Sequence, residues 1–192
     1  MEKQASLKER RAAVTREHIL DSAFELLTCP DQPFSHEAVA DRAGTGARTV
    51  YRYFRTQADL FHALWERLRE HVPPNFPLRE SDVADFAALQ FERFDHNETL
   101  IRALLFSPAG TRVRDRGGPE GRSAFAKSLS ALTRDCTPAE RRLIVAVFVA
   151  VHSASFWQLL RDRGGLNGPQ AQAAVRWTME ALLSTLHTKK GN

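Results

Sequence analysis

The 192-residue sequence is poor in cysteine, methionine and tyrosine, with two of each. Cys29 and Cys136 stand far apart, with no second cysteine near either, so neither a disulfide framework nor a CxxC metal or redox motif is available. This usage points to a reducing compartment, the cytoplasm. Long apolar runs are also missing: the longest, Leu143 to Val151, has nine residues, where a membrane span needs about 20. Residues 1–15 are charged and polar, so no secretory signal is read there and no membrane partner is expected. The sequence has no GxGxxG, GxxxxGK(S/T) or GxSxG, which removes phosphate-cradle and serine-hydrolase readings. His36-Glu37 opens like the HExxH of a zinc helix, but Ala40 occupies the place of the second histidine. Asp95, His96 and Glu98 cluster at an expected helix end and read as solvated charge rather than a metal site. No metal, cofactor or catalytic residue is expected, and the chain reads as non-enzymatic.

What remains is an ordinary globular composition, 43% hydrophobic and 26% charged, with a net charge of +4. Apolar residues recur at i, i+3, i+4 and i+7, and no alternating strand pattern persists, so the chain reads as all-α with about nine helices. Thr15 is placed as the cap of a first helix with the apolar face Ile19, Leu20, Ala23, Phe24 and Leu27, and Val14 with Ile19 as a hydrophobic staple. Ser35 caps a short second helix that stops at Gly44, and a third runs from Ala47 to Phe54. Thr56 and Asp59 form a capping box for a fourth, which halts before Pro73-Pro74.

The proline-rich stretch from His71 to Arg79 is read as the hinge. Residues 1–55 then form a three-helix domain, 56–71 a connecting helix, and 72–192 a larger helical domain. Within the latter, helices are expected over 82–96, 98–106 and 123–134, with a mobile glycine- and arginine-rich loop over 107–121. Thr137-Pro138-Ala139-Glu140 starts a long helix, apolar nearly all round to Leu160 and therefore expected to be buried on more than one side. A final helix follows Pro169.

Between Phe34 and Phe61, two short helices flank a tight glycine turn, which is helix-turn-helix geometry. Between Arg42 and Ala58 the charges are Arg42, Arg48, Arg52 and Arg55, with no acid, so basic charge is focused on this motif. Arginine reads guanine bidentately or binds phosphate, and hydroxyls with helix N-terminal amides bind the same anions. The basic motif points to duplex DNA.

At Ala43-Gly44, Thr49, Tyr51, Tyr53-Phe54 and Leu60 the sequence closely resembles the TetR family of bacterial transcriptional repressors, over about Thr15 to Leu64. It departs from the family pattern at three places: Thr45 for a valine, Gly46 for a serine cap and Gln57 for a lysine. The resemblance implies a homodimer that reads a palindromic operator, and a C-terminal domain that binds a small-molecule effector. Arg48 is expected at the bases, with Thr45, Gly46, Ala47 and Arg52 close by. Ser35, Thr49, Tyr51, Tyr53 and Gln57 form the expected phosphate set.

A ligand site in the second domain is expected to mix aromatics with a few polar groups, as Phe91, Phe94, Arg102, Phe106, Phe125, His152, Ser153, Phe156 and Trp157 do. Each of these aromatics has core packing as its competing role, and His152 a satisfied core histidine. The last two helices are the expected dimer interface. The alternatives are an activator of the same build, a regulator answering to a protein partner, and a helical binding or enzymatic module with a vestigial DNA-binding head.

Overall fold

The computed structural model describes residues 6–29 and 32–191, with side chains through 188. The described residues form eleven α-helices, one 3₁₀ turn (Glu80–Asp82) and no strand. In chain order these are α1 (Leu7–Leu27), α2 (His36–Arg42), α3 (Ala47–Tyr53), α4 (Gln57–His71), α5 (Val83–His96) and α6 (Glu98–Phe106). They continue as α7 (Pro108–Asp115), α8 (Gly118–Ser128), α9 (Pro138–Val151), α10 (Ala154–Asp162) and α11 (Gly168–Gly191). The chain divides into two compact units: a head of residues up to His71 joined by Phe106–Arg116, and a second unit of Val72–Leu105 with the residues from Gly117 onward.

The all-helical reading holds, and the two helices beyond the expected nine have local causes. The stretch 107–121 is not a loop. Ser107 accepts the Gly110 amide and Pro108 sits at the first helical position, which together start α7. After Arg116 and Gly117, α8 begins at Gly118, earlier than expected, and it ends at Ser128 rather than near Arg134. The long apolar helix expected from Thr137 to Leu160 is broken into α9 and α10, bent by 53°. Ser153 causes the break: its Oγ accepts the Phe156 amide at 3.2 Å and caps a new helix, while His152 closes the old one. Burial on more than one side was the expectation for that helix; in α9 Val145 and Phe148 are buried, while Leu143, Ala146, Val147 and Ala150 are exposed along one face. No single helix among the described residues is long and apolar enough to cross a membrane.

α1 also starts earlier than expected. Ser6 and Glu9 make a reciprocal capping box, with Ser6 N–H donating to the Glu9 carboxylate at 2.7 Å. Thr15 therefore lies inside the helix, its hydroxyl donating to Arg11 O, and exposed Val14 staples nothing. The expected boxes at Thr56/Asp59 and Thr137/Glu140 are both present.

In the head, Ile19, Ala23 and Leu27 of α1, Val39 of α2, Val50 of α3 and Leu60 and Leu64 of α4 are fully buried. Each of the isoleucine, leucine and valine side chains among these contributes about 1.5–3 kcal/mol by leaving water. The α7 helix packs on α4 within the same unit. In the second unit α5 lies along α11, and α8 packs on α9, around Phe91, Phe125, Phe148, Trp157, Val175 and Met179.

Candidate nucleic-acid interface

The turn between α2 and α3 is fixed by backbone geometry. Gly44 has φ of +60°, Thr45 N–H donates to Ala40 O at 3.0 Å, and Gly44 N–H donates to Asp41 O at 3.2 Å. This pair of bonds is a Schellman motif, which turns the chain sharply after α2. A Cβ at Gly44 would meet nothing within 4 Å, so glycine is required there by its φ and not by crowding. His18 of α1 donates from Nε2 to Ala43 O at 3.0 Å and pins the end of α2 to α1.

The α3 helix is held from below and presents its polar side outward. Val50 is fully buried, and Phe54 just beyond the helix nearly so, while Arg48, Arg52 and Tyr51 are exposed. His36 is the hidden fastener. Its Nε2 donates to Phe54 O at 2.9 Å, and its ring stacks flat on Tyr51 with centroids 4.3 Å apart. The Tyr51 hydroxyl then donates to Glu37 Oε1 at 3.1 Å, tying α3 to the start of α2. Glu37 sits below the usual carboxylate range because its own amide, then the Ser35 and Tyr51 hydroxyls, favour the charged form. Hydrogen bonding to Glu37 raises Tyr51 above the ordinary phenol value, so it remains a donor.

The other expected contact residues come from the start of α2, the turn, α3 and its end, and the first turn of α4. Ser35 caps α2 by accepting Ala38 N–H at 3.1 Å. Gly46 caps α3 with no side chain, and Thr49 N–H donates to its carbonyl at 2.8 Å. Thr45, Ala47 and Thr49 are half-buried. Arg52 lies 5.0 Å from the ring centroid of half-buried Tyr53 and reaches its hydroxyl. Arg42 is partly drawn away from the cluster, 3.4 Å from Glu25 of α1. Gln57 is already engaged: its Nε2 donates to Phe34 O at 3.3 Å, and its Oε1 accepts from Arg112 of α7 at 3.1 Å. Arg116 donates to Ala58 O at 3.2 Å. Sequence reasoning missed His36 and Glu37 as positioning residues, and missed the two arginines at α4's first turn; Ser107-Pro108 was the available sign that these stand on a helix.

The candidate ligand residues of the second unit are packed together. Phe91, Phe125 and Trp157 are fully buried; Phe94 meets Trp157 edge-on at 6.0 Å, and Phe156 lies 6.4 Å from Phe91. His152 donates from Nε2 to Asn75 O at 3.0 Å, and burial lowers its pKa to about 4, so it is neutral near pH 7. Ser153 is a helix cap. Arg102 binds both carboxylate oxygens of Asp162, at 3.0 and 2.8 Å, reaches Glu98 at 2.7 Å and lies over Trp157. Those bonds, Asp162's first, raise Arg102 above the ordinary guanidinium value. Phe106 stands apart, 64% exposed and grouped with the head. Asp95 and Glu98, read from sequence as solvated charge, are instead partners: Asp95 of the Trp157 indole N–H at 2.9 Å, and Glu98 of Arg102 and Arg161. Among the described residues no cluster of three or more His, Cys, Asp or Glu is placed to hold a metal.

Residues 19–64 match the family of bacterial regulatory proteins of the tetR type. No curated protein matches the sequence. Among solved structures, the chain is similar to NalD of Pseudomonas aeruginosa, the secondary repressor of the MexAB-OprM multidrug efflux pump. The TM-score is 0.58 at 20% identity, over 89% of this chain and 96% of that one. A tetR-family transcriptional regulator from Streptomyces coelicolor is similar at a TM-score of 0.57 and 21% identity, over 92% of this chain and 83% of that one. The helix-turn-helix geometry and the family match agree on residues 19–64: the chain carries a DNA-binding head of the tetR regulatory type, and along the rest of its length the likeness to these regulators is one of fold.

Proposed function

We propose that the chain acts as a homodimeric repressor, released from a palindromic operator by a small-molecule effector. The observation that carries the reading is the division of labour on α3. Val50, with Phe54 just after it, locks the helix in place, leaving Arg48 and Arg52 exposed with no role in the core. Arg48 reads base edges, with Thr45, Gly46, Ala47 and Arg52 beside it, and Ser35, Thr49, Tyr51, Tyr53 and Gln57 face phosphates. In this reading residues 1–55 are the DNA-binding domain, 56–71 a connecting helix and 72–192 the ligand-binding and dimerisation domain, working in the cytoplasm.

An exposed apolar surface supports the dimer. Leu143 of α9 is 66% exposed and Trp177 of α11 is 71% exposed, on two helices that pack against each other. A second copy would cover both in a four-helix arrangement. Two-fold symmetry then places half-sites about one duplex turn, or a multiple of it, apart. In the second unit, the aromatic cluster around Trp157 offers an apolar body to an effector, with His152 as its polar handle. An effector releases the operator by favouring a conformation in which the two heads no longer match the half-site spacing.

The test is selection of bound fragments from genomic DNA at physiological salt, with the Arg48→Ala variant in parallel. Enrichment of a palindrome by the wild type alone is expected. Equal enrichment by both proteins contradicts the role of Arg48, and no enrichment by either contradicts the operator reading.

A further inference from the structure

The head contains a groove of about 720 Å³, within the size range of small-molecule sites. Its walls come from Cys29 just after α1, Phe34 just before α2, the first turns of α4 (Gln57, Phe61) and the first turn of α7 (Ala109, Arg112). All of these belong to the first unit, so the groove is separate from the aromatic cluster around Trp157. Its floor is aromatic: Phe34 and Phe61 stack with centroids 5.3 Å apart and planes 21° apart. The Arg112 guanidinium lies 5.8 Å from the Phe61 centroid, and Gln57 Oε1 takes one of its N–H donors at 3.1 Å. No acid is among the described lining residues. A cation oriented beside an aromatic floor complements one class of ligand: a flat or linear apolar body ending in a carboxylate.

We propose that this groove binds a small amphipathic carboxylate, held by Arg112 and packed on Phe34 and Phe61, and that its occupancy changes DNA binding from within the head. The regulatory half rests on the reading of the chain as an effector-controlled regulator. Its basis is a chain of bonds. A carboxylate on Arg112 competes with Gln57 Oε1, and Gln57 is bonded to Phe34 O. Phe34 precedes Ser35, the cap of α2, whose first residue His36 holds Phe54 O and stacks on Tyr51. A ligand that prefers one arrangement of Gln57 and Phe34 therefore biases the seating of α3.

The experiment titrates the full chain, without DNA, with 2-naphthoate and decanoate, and with neutral 2-naphthamide, by calorimetry. In parallel, iodoacetamide labelling of Cys29 and Cys136 is followed by mass spectrometry. Sub-millimolar binding of at least one acid is expected, with the amide about tenfold weaker or more. Arg112→Met should weaken the acid by about tenfold or more and leave the amide unchanged. Bound acid should slow labelling of Cys29, which lines the groove, and leave Cys136 in the second unit unaffected. This protection is read on the wild-type chain, so it stands even if the variant folds poorly. No binding of either acid, equal binding by Arg112→Met, or an unprotected Cys29 overturns the site. If the acid binds but operator affinity does not respond, the regulatory half is overturned. A chain that enriches no operator fails in the underlying reading, while groove binding is judged by the DNA-free titration alone.

Discussion

Arg48 and Arg102 carry the same guanidinium, yet the two units use it in opposite ways. In the second unit Arg102 is spent on Asp162 and Glu98 and roofed over Trp157. In the head Arg48 is exposed on a helix whose packing is done by Val50. The aromatics divide the same way. Phe91, Phe125 and Trp157 are fully buried, whereas Tyr51 is 44% exposed and rests on His36 with its hydroxyl at the surface. A residue type does not decide between fold and function; its partners do. A side chain whose polar atoms are satisfied inside the fold contributes stability, and one that the fold supports but leaves outward is available for a ligand.

Truncations in the two units should therefore have different consequences. The largest expected effect is on stability. Trp157→Ala removes a fully buried side chain and should cost about 3–5 kcal/mol in chemical denaturation. A cost below about 1 kcal/mol would mean that the cluster is loosely packed and already open to a ligand.

The second effect is a pH dependence. His152 titrates near 4 in the folded chain and near the ordinary 6.5 when unfolded, so the unfolded chain binds more protons between those values. Its contribution is complete above about pH 6.5 and is lost as pH falls toward 4, on the order of 3 kcal/mol in all. His152→Gln keeps a donor for Asn75 O without the titration and should flatten the dependence of melting temperature on pH in that window. An unchanged slope would place the sensitivity elsewhere.

Gly44→Ala comes next. The added methyl meets nothing, so the penalty is the left-handed backbone alone, about 1–2 kcal/mol on the melting of the head. No penalty would show that the turn relaxes to another conformation. The smallest effect belongs to Gln57→Lys, which adds one cation at α4's first turn. The slope of log Kd against log salt should steepen by about one, and an unchanged slope rejects a phosphate near this position.

The head was legible because its geometry is written in short-range chemistry. Ser35 as cap, Gly44 at the turn and Thr56 with Asp59 each act over three to five residues, and the bonds form as the spacing implies. The Ser6-Leu7-Lys8-Glu9 box is equally local, but it sits in a charged segment without an apolar face, whereas Thr15 stands directly before one. Composition misled over 107–121, where glycines and arginines suggest a loop but Ser107 and Pro108 start a helix. At His152-Ser153 the two polar residues were visible as an interruption. What the sequence did not reveal is that Ser153 spends its hydroxyl on a new cap and so bends the chain. Pairings between distant residues had no local signature at all. Arg112 meets Gln57 and Trp157 meets Asp95 only because the helices carrying them pack together.

The central claim is that α3 is an outward-facing reading surface whose specificity is separable from the fold. It is tested most directly by measuring the affinity of wild type and Arg48→Ala for the selected palindrome and for a scrambled duplex at one physiological salt concentration. The account predicts that the substitution lowers palindrome affinity by about 1–3 kcal/mol per contacted half-site, with a much smaller change on scrambled DNA and no change in melting temperature. An undiminished preference for the palindrome, or a loss that appears only together with unfolding, would contradict it.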